Sequence, residues 1–207
     1  MSKKGLLSKT HGGAVSSIQK LYYYNENVIK NLQEKEIIAN KAVTLLKDGM
    51  TIIISDGTTN LAFARRIPKN LKATVCTYCF PIVMELTEHP YIEIIFLGGK
   101  VEKKGMVALG LDVIDKFSKI HADICFLGTG SISPLDGVTE GSYDVALIKM
   151  AIVAASDKIV SLATSDKLGL RQNYTVCKAA EITTLITELN LPNEKLLHYA
   201  EAGIQLL

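Results

Sequence analysis

The chain has 207 residues, of which 48% are hydrophobic and 21% are charged, and its formal net charge is +2. This composition is that of a globular protein with a sizeable core, in one large domain or one domain with an appendage. It excludes a membrane span, since no apolar run approaches ~20 residues. No secretory signal is recognisable, and the small net charge argues against charge-driven binding to nucleic acid, so we expect a cytoplasmic protein.

The beginning of the chain differs in pattern from the rest. The pattern of residues 1–27 predicts a linker followed, over 15–27, by an arm that packs on the rest of the domain or on another subunit. From residue 28 to 47 the pattern is helical, and Gly49 follows as a stop signal. Residues 28–207 form the predicted α/β domain.

After this helix, apolar β-branched runs alternate with helical patterns. Strands are predicted at 51–55, 73–77, 92–97, 123–127, 159–163, 183–186 and 204–207. Helices are predicted at 58–67, 81–87, 108–117, 142–156, 175–180 and 190–200, with a polar excursion at 100–105 and a turn at 134–137. The alternation predicts an α/β fold with a mostly parallel sheet and helices on both faces.

Five predicted strands end in short polar loops, at 55–59, 77–79, 98–99, 128–131 and 164–169. Because the carboxyl ends of parallel strands meet at one edge of a sheet, we expect a single polar crevice there. In the first loop, the N–H groups that begin the next helix favour an anion such as phosphate. Two alternatives stay open: Asp56 or Thr58 caps that helix, and Gly98-Gly99 is a plain turn.

The four cysteines include a C-x-x-C pair, Cys76 and Cys79. A zinc site needs a second pair or two histidines at ligand spacing, which His89 and His121 lack. A redox pair needs its first cysteine just before a helix, whereas Cys76 lies inside a predicted strand. We therefore predict buried thiols and no metal or other cofactor.

Several short motifs, in order, resemble the effector-binding domain of DeoR-family transcription regulators over about residues 6–188. They are THGGA (10–14), EKEIIA (34–39), DGTT (56–59), LGG (97–99), DICFLGTGSI (123–132), GVTE (137–140) with Lys149, and DKLG (166–169). The resemblance implies the fold of ribose-5-phosphate isomerases and coenzyme A transferases, a phosphorylated sugar as effector, and a homo-oligomer. In the family a winged helix-turn-helix precedes the Gly-Gly-Ala segment, so DNA binding is expected only through an N-terminal domain absent from this chain.

The resemblance also implies a ligand set. Thr58, Thr59 and nearby backbone N–H groups would hold the phosphate. Lys149 and Lys167 would supply positive charge, and Asp56 would accept hydrogen bonds from sugar hydroxyls; the alternatives are solvated lysines and a capping aspartate. The full set is Asp56, Gly57, Thr58, Thr59, Thr77, Gly98, Gly128, Gly130, Lys149 and Lys167.

The sequence departs from the family pattern at three places. Ser55 stands where the family usually has Asp, and Asp56 where it has a small polar residue. Tyr78 replaces the Asn of the usual Thr-Asn pair, and Thr164 with Asp166 replaces an Asp that precedes Ser-Ser-Lys. Side chains of successive strand residues point to opposite faces of the sheet, so a shift by one sequence position turns a carboxylate to the other face, away from a ligand.

Three functions are compatible with these observations. The first is a sensor, in which a sugar phosphate shifts an oligomer between two states. The second is a sugar-phosphate isomerase on the same fold, with a base and an enediolate-stabilising cation drawn from Glu140, Asp144 and Lys149. The third is an oligomerisation platform that binds no small molecule.

Overall fold

The computed structural model describes residues 7–10, 13–16 and 29–207. Strands β1 (Leu7–Thr10) and β2 (Gly13–Ser16) pair in antiparallel orientation, where the sequence predicts a linker without secondary structure. Most of the predicted arm at 15–27 lies outside the described residues. The division of the chain at residue 28 therefore stays a prediction.

The remaining elements occupy residues 32–206. The strands are β3 (Thr51–Ile54), β4 (Ala73–Thr77), β5 (Ile92–Phe96), β6 (Lys100–Glu102), β7 (Val107–Leu109), β8 (Ile124–Gly128), β9 (Ser131–Ser133), β10 (Gly137–Glu140), β11 (Ile159–Leu162), β12 (Tyr174–Cys177), β13 (Thr184–Ile186) and β14 (Gln205–Leu206). The helices are α1 (Leu32–Ala42), α2 (Thr58–Arg66), α3 (Phe80–Leu86), α4 (Leu111–Phe117), α5 (Tyr143–Ala154) and α6 (Leu197–Glu201). Single 3-10 turns lie at Val43–Leu45, Ser165–Lys167, Ala179–Glu181 and Glu194–Leu196.

Seven strands form one parallel sheet in the order β14-β13-β11-β8-β3-β4-β5. In the interior strand β3, the consecutive residues Ile52, Ile53 and Ile54 are all fully buried. Since consecutive strand residues point to opposite faces, both faces of the sheet must be covered. Helices α1, α2 and α3 pack in sequence on one another, and α4 packs on α5. The predicted α/β fold is confirmed.

The order of the strands places a topological switch point at the centre of the sheet. From β3 the chain moves outward through β4 and β5 to one edge, and it then returns to add β8 on the other side of β3. The connections that follow β3 and β8 therefore lead toward opposite edges of the sheet, with a crevice at their base. In open parallel sheets this is where ligands bind.

Two predicted helices are wrong in part. Residues 108–109 of the predicted helix 108–117 belong to β7 (Val107–Leu109), which pairs with β6 in the polar excursion. Gly110, at φ 121°, separates this strand from α4. In the segment predicted as helical at 175–180, residues 175–177 belong to β12, paired with β10, and residues 179–180 begin the 3-10 turn Ala179–Glu181. The Tyr-Thr-Val start of β12 favours a strand, and the contact with β10 overrides the helical spacing.

Other boundaries differ less. The helix predicted over 28–47 is α1, whose end tightens into the 3-10 turn Val43–Leu45 before Gly49. The helix predicted at 190–200 begins only with the 3-10 turn Glu194–Leu196. The turn predicted at 134–137 joins two strands, β9 and β10, that the sequence does not predict.

The helices of the described segments are all too short or too polar to span a bilayer.

Candidate functional site

The two loops at the switch point are in direct backbone contact. Gly57, at φ 107°, precedes the first turn of α2, and Asn60 in that turn donates to the carbonyls of Ser55 and Phe126 at 3.1 and 3.0 Å. A Cβ on Gly128 would lie 1.9 Å from the Asp56 carbonyl oxygen. Only glycine at this position lets the loops after β3 and β8 approach so closely.

A cavity of about 270 Å³ lies between these loops. This volume is just below the ~300–1,000 Å³ of pockets for drug-sized ligands, so it suits a small metabolite. Eight residues of the predicted ligand set lie together in its wall, and three further residues complete it. The lining residues are Asp56, Gly57, Thr58, Thr59, Gly128, Thr129, Gly130, Glu140, Lys149, Lys167 and Gln172.

Thr77 and Gly98, also in the predicted ligand set, do not line this pocket. Thr77 is fully buried, and its hydroxyl oxygen accepts the Cys79 N–H at 3.2 Å. The carbonyl of Gly98 accepts from the Lys116 ammonium at 2.8 Å. Thr77 ends β4 and Gly98 follows β5. Both strands lie outward from the switch point, and this position separates the two residues from the other eight.

Three lining residues are outside the predicted set. Thr129 lies inside a predicted loop, and the sequence singles out Glu140 only as a candidate base. Gln172 carries no local signal, because its loop reaches the pocket through a long-range pairing in which the Gly169 N–H donates to the Ile132 carbonyl at 2.8 Å. Among the described residues, the side-chain oxygen of Gln172 is buried without a hydrogen-bond partner.

Lys149 is the centre of a buried charge cluster. Its ammonium contacts the Gly128 carbonyl and a Glu140 carboxylate oxygen, each at 2.6 Å, and Asp56 Oδ1 at 3.3 Å. Burial alone would lower the pKa of Lys149, but the two carboxylates raise it above its ordinary value. An ammonium has three protons, and three acceptors already surround this one.

Lys167 is differently placed. Within residues 29–207 its ammonium donates to the Thr129 carbonyl at 2.6 Å, and it lies in the pocket wall. Burial lowers the pKa of Lys167, and the positive charges of Lys149 and Lys35 lower it further. The negative charges of Asp166 and Glu140 raise this pKa less than the other effects lower it. An anion in the pocket would oppose the net lowering, because it would add a counter-charge close to the ammonium.

The carboxylate of Asp56 faces the pocket although its place is shifted from the family pattern. Strand β3 ends at Ile54, so Asp56 lies in the loop and escapes the strict alternation of strand side chains. Tyr78 donates its O–H to Asp56 Oδ1 at 2.6 Å, and Ser55 donates at 3.0 Å. Burial would raise the pKa of Asp56, but Lys149 and these hydrogen bonds hold it below its ordinary value.

The second shifted carboxylate stays outside the pocket. Asp166 is exposed, and its carboxylate accepts the hydroxyl of Thr164 at 2.5 Å. The preceding backbone N–H, that of Ser165, donates to Glu188. These contacts close the turn that carries Lys167 and leave Asp166 no direct part in the pocket wall.

The cysteines show no arrangement for a metal. All four thiols are buried, and burial raises the pKa of Cys76 to about 11 and of Cys125 and Cys177 to about 12. Such thiols are poor nucleophiles at neutral pH. In the part of the chain that the structure describes, no three His, Cys, Asp or Glu side chains are grouped as metal ligands.

Known structures share the fold over part of the chain. The delta subunit of eIF2B from Chaetomium thermophilum aligns with a TM-score of 0.54 and 21% identity, over 77% of this chain and 57% of that one. Ribose 5-phosphate isomerase A from Methanocaldococcus jannaschii aligns with a TM-score of 0.47 and 20% identity, over 64% and 52%. The likeness to the eIF2B subunit concerns the fold alone.

Sequence comparisons are more specific. The chain is 30% identical over 206 residues to the HTH-type transcriptional regulator GolR of Listeria innocua, covering 99% of this chain and 81% of that protein. It is 30% identical over 210 residues to the HTH-type transcriptional repressor GlcR of Bacillus subtilis, covering 100% and 80%. The family description "DeoR C terminal sensor domain" matches residues 30–189. The chain therefore belongs to the DeoR family of transcriptional regulators and carries its C-terminal sensor domain.

Proposed function

We propose that this chain senses a phosphorylated sugar and that the bound sugar controls transcription. The observation that carries this proposal is the composition of the pocket at the switch point. Its lining combines an ammonium and the N–H groups that begin α2 with carboxylates and a buried amide oxygen that has no partner among the described residues. A molecule with a phosphate at one end and hydroxyl groups at the other matches this combination.

The anion end consists of Gly57, Thr58, Thr59 and Lys167. Helix α2 begins at Thr58, so its first N–H groups carry the partial positive charge of a helix N-terminus. The threonine hydroxyls add donors, and Lys167 adds a full charge. Lys149, in contrast, supports this end only indirectly, because its protons are committed to three acceptors.

The hydroxyl end consists of Asp56, Glu140 and Gln172. Carboxylates accept hydrogen bonds and repel anions, so sugar hydroxyls are the matching donors. The buried oxygen of Gln172 has no partner among the described residues, and a ligand hydroxyl would satisfy it. This oxygen is a reason, independent of the family, to expect a polar ligand here.

The partners follow from the relatives. GolR and GlcR are named as HTH-type regulators, so we expect control of DNA binding through a winged helix-turn-helix outside this chain. We also expect a homo-oligomer in the cytoplasm whose states the sugar phosphate redistributes. Light scattering coupled to gel filtration, with and without ribose 5-phosphate, measures the oligomer directly.

Catalysis is the less favoured alternative. The isomerase hypothesis drew its base and cation from Glu140, Asp144 and Lys149, but Asp144 is exposed on α5 and outside the pocket wall. Lys149 is already surrounded by three acceptors, so it is poorly placed to stabilise an enediolate. Turnover of ribose 5-phosphate that Glu140→Gln abolishes would establish an enzyme instead.

Ligand-dependent stabilisation tests the proposal. Thermal unfolding is followed with ribose 5-phosphate, glucose 6-phosphate, fructose 6-phosphate and glycerol 3-phosphate, and one member should stabilise by ~2.7 kcal/mol at 100 times its Kd. We expect Lys167→Met to weaken that binding by about tenfold or more, since it removes a charged hydrogen bond. The matched control is Lys158→Met, an exposed lysine outside the pocket. No stabilisation by any of the four would favour a platform that binds no small molecule.

The two halves of the loop after β3 should contribute unequally to ligand binding. Thr58→Val removes a phosphate donor at the start of α2, and we expect about tenfold weaker binding of the preferred sugar phosphate. Asp56→Asn keeps an oxygen that accepts from a hydroxyl, so we expect a loss of about fivefold. Titration calorimetry that gives the opposite order would contradict this assignment of the two ends.

A further inference from the structure

We propose that Tyr78 is a specificity-determining residue: its buried phenol fixes the Asp56 carboxylate toward the pocket, so that the pocket prefers hydroxyl-bearing phosphate monoesters over inorganic phosphate and bisphosphates. This inference rests on the proposed function and adds to it the class of ligand that the pocket accepts. Tyr78 itself does not line the pocket. It acts through Asp56 and is a positioning residue.

The hydrogen bonds to Asp56 carry the argument. Tyr78 is fully buried just after β4, and its O–H donates to Asp56 Oδ1 at 2.6 Å. Ser55 donates to the same oxygen at 3.0 Å, and the Lys149 ammonium lies 3.3 Å from it. With three donors on one oxygen, the carboxylate cannot rotate about its last side-chain bond without losing several bonds at once.

The ring of Tyr78 is itself held in place. It packs edge-to-face on Phe117, with ring centroids 6.1 Å apart and an interplanar angle of 86°. Burial raises the pKa of this phenol well above its ordinary value, and the charge of Asp56 raises it further. The phenol therefore keeps its proton at any physiological pH and acts only as a donor to Asp56.

A fixed carboxylate at this point has a direct consequence for ligand choice. Asp56 and Glu140 together place two formal negative charges around one ammonium at this end of the pocket. A hydroxyl group gains a strong acceptor there, whereas a second phosphate meets like charge. Inorganic phosphate fits the anion end but gains nothing from the carboxylate end.

Tyr78 also fills core volume, and Phe at this position would fill the same volume without the hydroxyl. Tyr78→Phe therefore separates the two roles. Tyr199 offers a matched control, because it is a second buried tyrosine whose hydroxyl, outside the pocket, donates to the Ile132 carbonyl at 2.8 Å and accepts the Gly169 N–H at 2.9 Å. Tyr199→Phe should cost stability, and because its hydroxyl bonds Ile132 and also Gly169, in the loop that carries Gln172, it is able to change affinity as well. That change should be independent of Asp56: it should add to the effect of Asp56→Asn, whereas the effect of Tyr78→Phe should not.

The test measures affinities of wild type, Tyr78→Phe and Tyr199→Phe for ribose 5-phosphate, glucose 6-phosphate, glycerol 3-phosphate, fructose 1,6-bisphosphate and inorganic phosphate. For the best-bound monoester we expect Tyr78→Phe to weaken binding about fivefold, as for loss of one positioning hydrogen bond. Affinity for inorganic phosphate should change by less than about twofold, so the ratio of monoester affinity to phosphate affinity should fall. Asp56→Asn should reduce this ratio similarly, and the double variant Tyr78→Phe with Asp56→Asn should lose no more monoester affinity than either single variant.

The outcomes are distinguishable. If wild type binds a monoester and Tyr78→Phe lowers all affinities in proportion, or none, the role of Tyr78 is refuted while the sensor proposal stands. If wild type binds none of the five compounds, both proposals fall. If Tyr78→Phe does not fold, Asp56→Asn alone decides, and an unchanged ratio in that variant refutes the inference.

Discussion

Replacing Lys149 by methionine is expected to destabilise the protein by about 3–5 kcal/mol, the usual cost of removing one partner from a buried ion pair. Lys149 is 2% exposed, and its ammonium is the shared partner of Asp56 and Glu140. Without it, two carboxylates face each other at the pocket and the Gly128 carbonyl loses its donor. Urea unfolding at pH 7 measures the loss, and sugar-phosphate binding should disappear with it.

The pH dependence of stability identifies the cause. In the wild type, the pKa of Lys149 is raised above 10.5, so its contribution is fully present below pH 10.5 and is lost as pH rises through the raised value. The pKa of Asp56 is lowered below 3.8, so its contribution is present above pH 3.8 and is lost as pH falls through the lowered value. In Lys149→Met the Asp56 carboxylate lacks its cation and faces Glu140, and protonating Asp56 relieves the repulsion. The difference in unfolding free energy between wild type and Lys149→Met should therefore shrink as the pH falls from 7 to 4.

A neutral replacement of the whole cluster serves as the control. Lys149→Met combined with Asp56→Asn and Glu140→Gln leaves no buried charge unpaired, and we expect it to recover most of the lost stability. It should still bind no sugar phosphate. If Lys149→Met alone is as stable as wild type at every pH, the cluster is not the closed ion network that the distances indicate.

The sequence predicts the seven parallel strands well, because buried β-branched runs between helical segments carry a strong local signal. Loops at strand ends are predicted for the same reason. Strand order, however, depends on where each helical crossover places the next strand in the sheet, and no local pattern encodes that position. Thr77 and Gly98 enter the predicted ligand set through the family resemblance, and only the strand order shows that β4 and β5 lie outward from the switch point.

The missed residues have a different origin. Glu140 and Gln172 reach the pocket through the small antiparallel sheet β12-β10-β9 and the loop before it. All three strands have only three or four residues, too few for alternation to show. The shift from Ser55 to Asp56 is also undecided by pattern, because its effect depends on whether β3 ends before or after that pair.

The close approach of the two loops makes Gly128→Ala the second large effect. The added Cβ would lie 1.9 Å from the Asp56 carbonyl oxygen and 3.4 Å from the Asn60 side chain, and the backbone oxygen cannot swing away as a flexible side chain does. One loop must move, so we expect a destabilisation of about 3 kcal/mol, at the upper end for overpacking. The shift also displaces the Gly128 carbonyl from the Lys149 ammonium, and sugar-phosphate binding should weaken by about tenfold or more.

Gly98→Ala is the matched control for this variant. Gly98 follows β5 and lies outside the pocket. Among the described residues, its added Cβ would meet only the Phe96 ring, at 3.4 Å, which is an ordinary contact distance. We expect a change in unfolding free energy within about 1 kcal/mol and unaltered ligand affinity. Urea unfolding and calorimetry on both variants decide the matter. Loss of binding in Gly98→Ala with normal binding in Gly128→Ala would place the ligand at the end of β5, and the crevice between β3 and β8 would then not be the effector site.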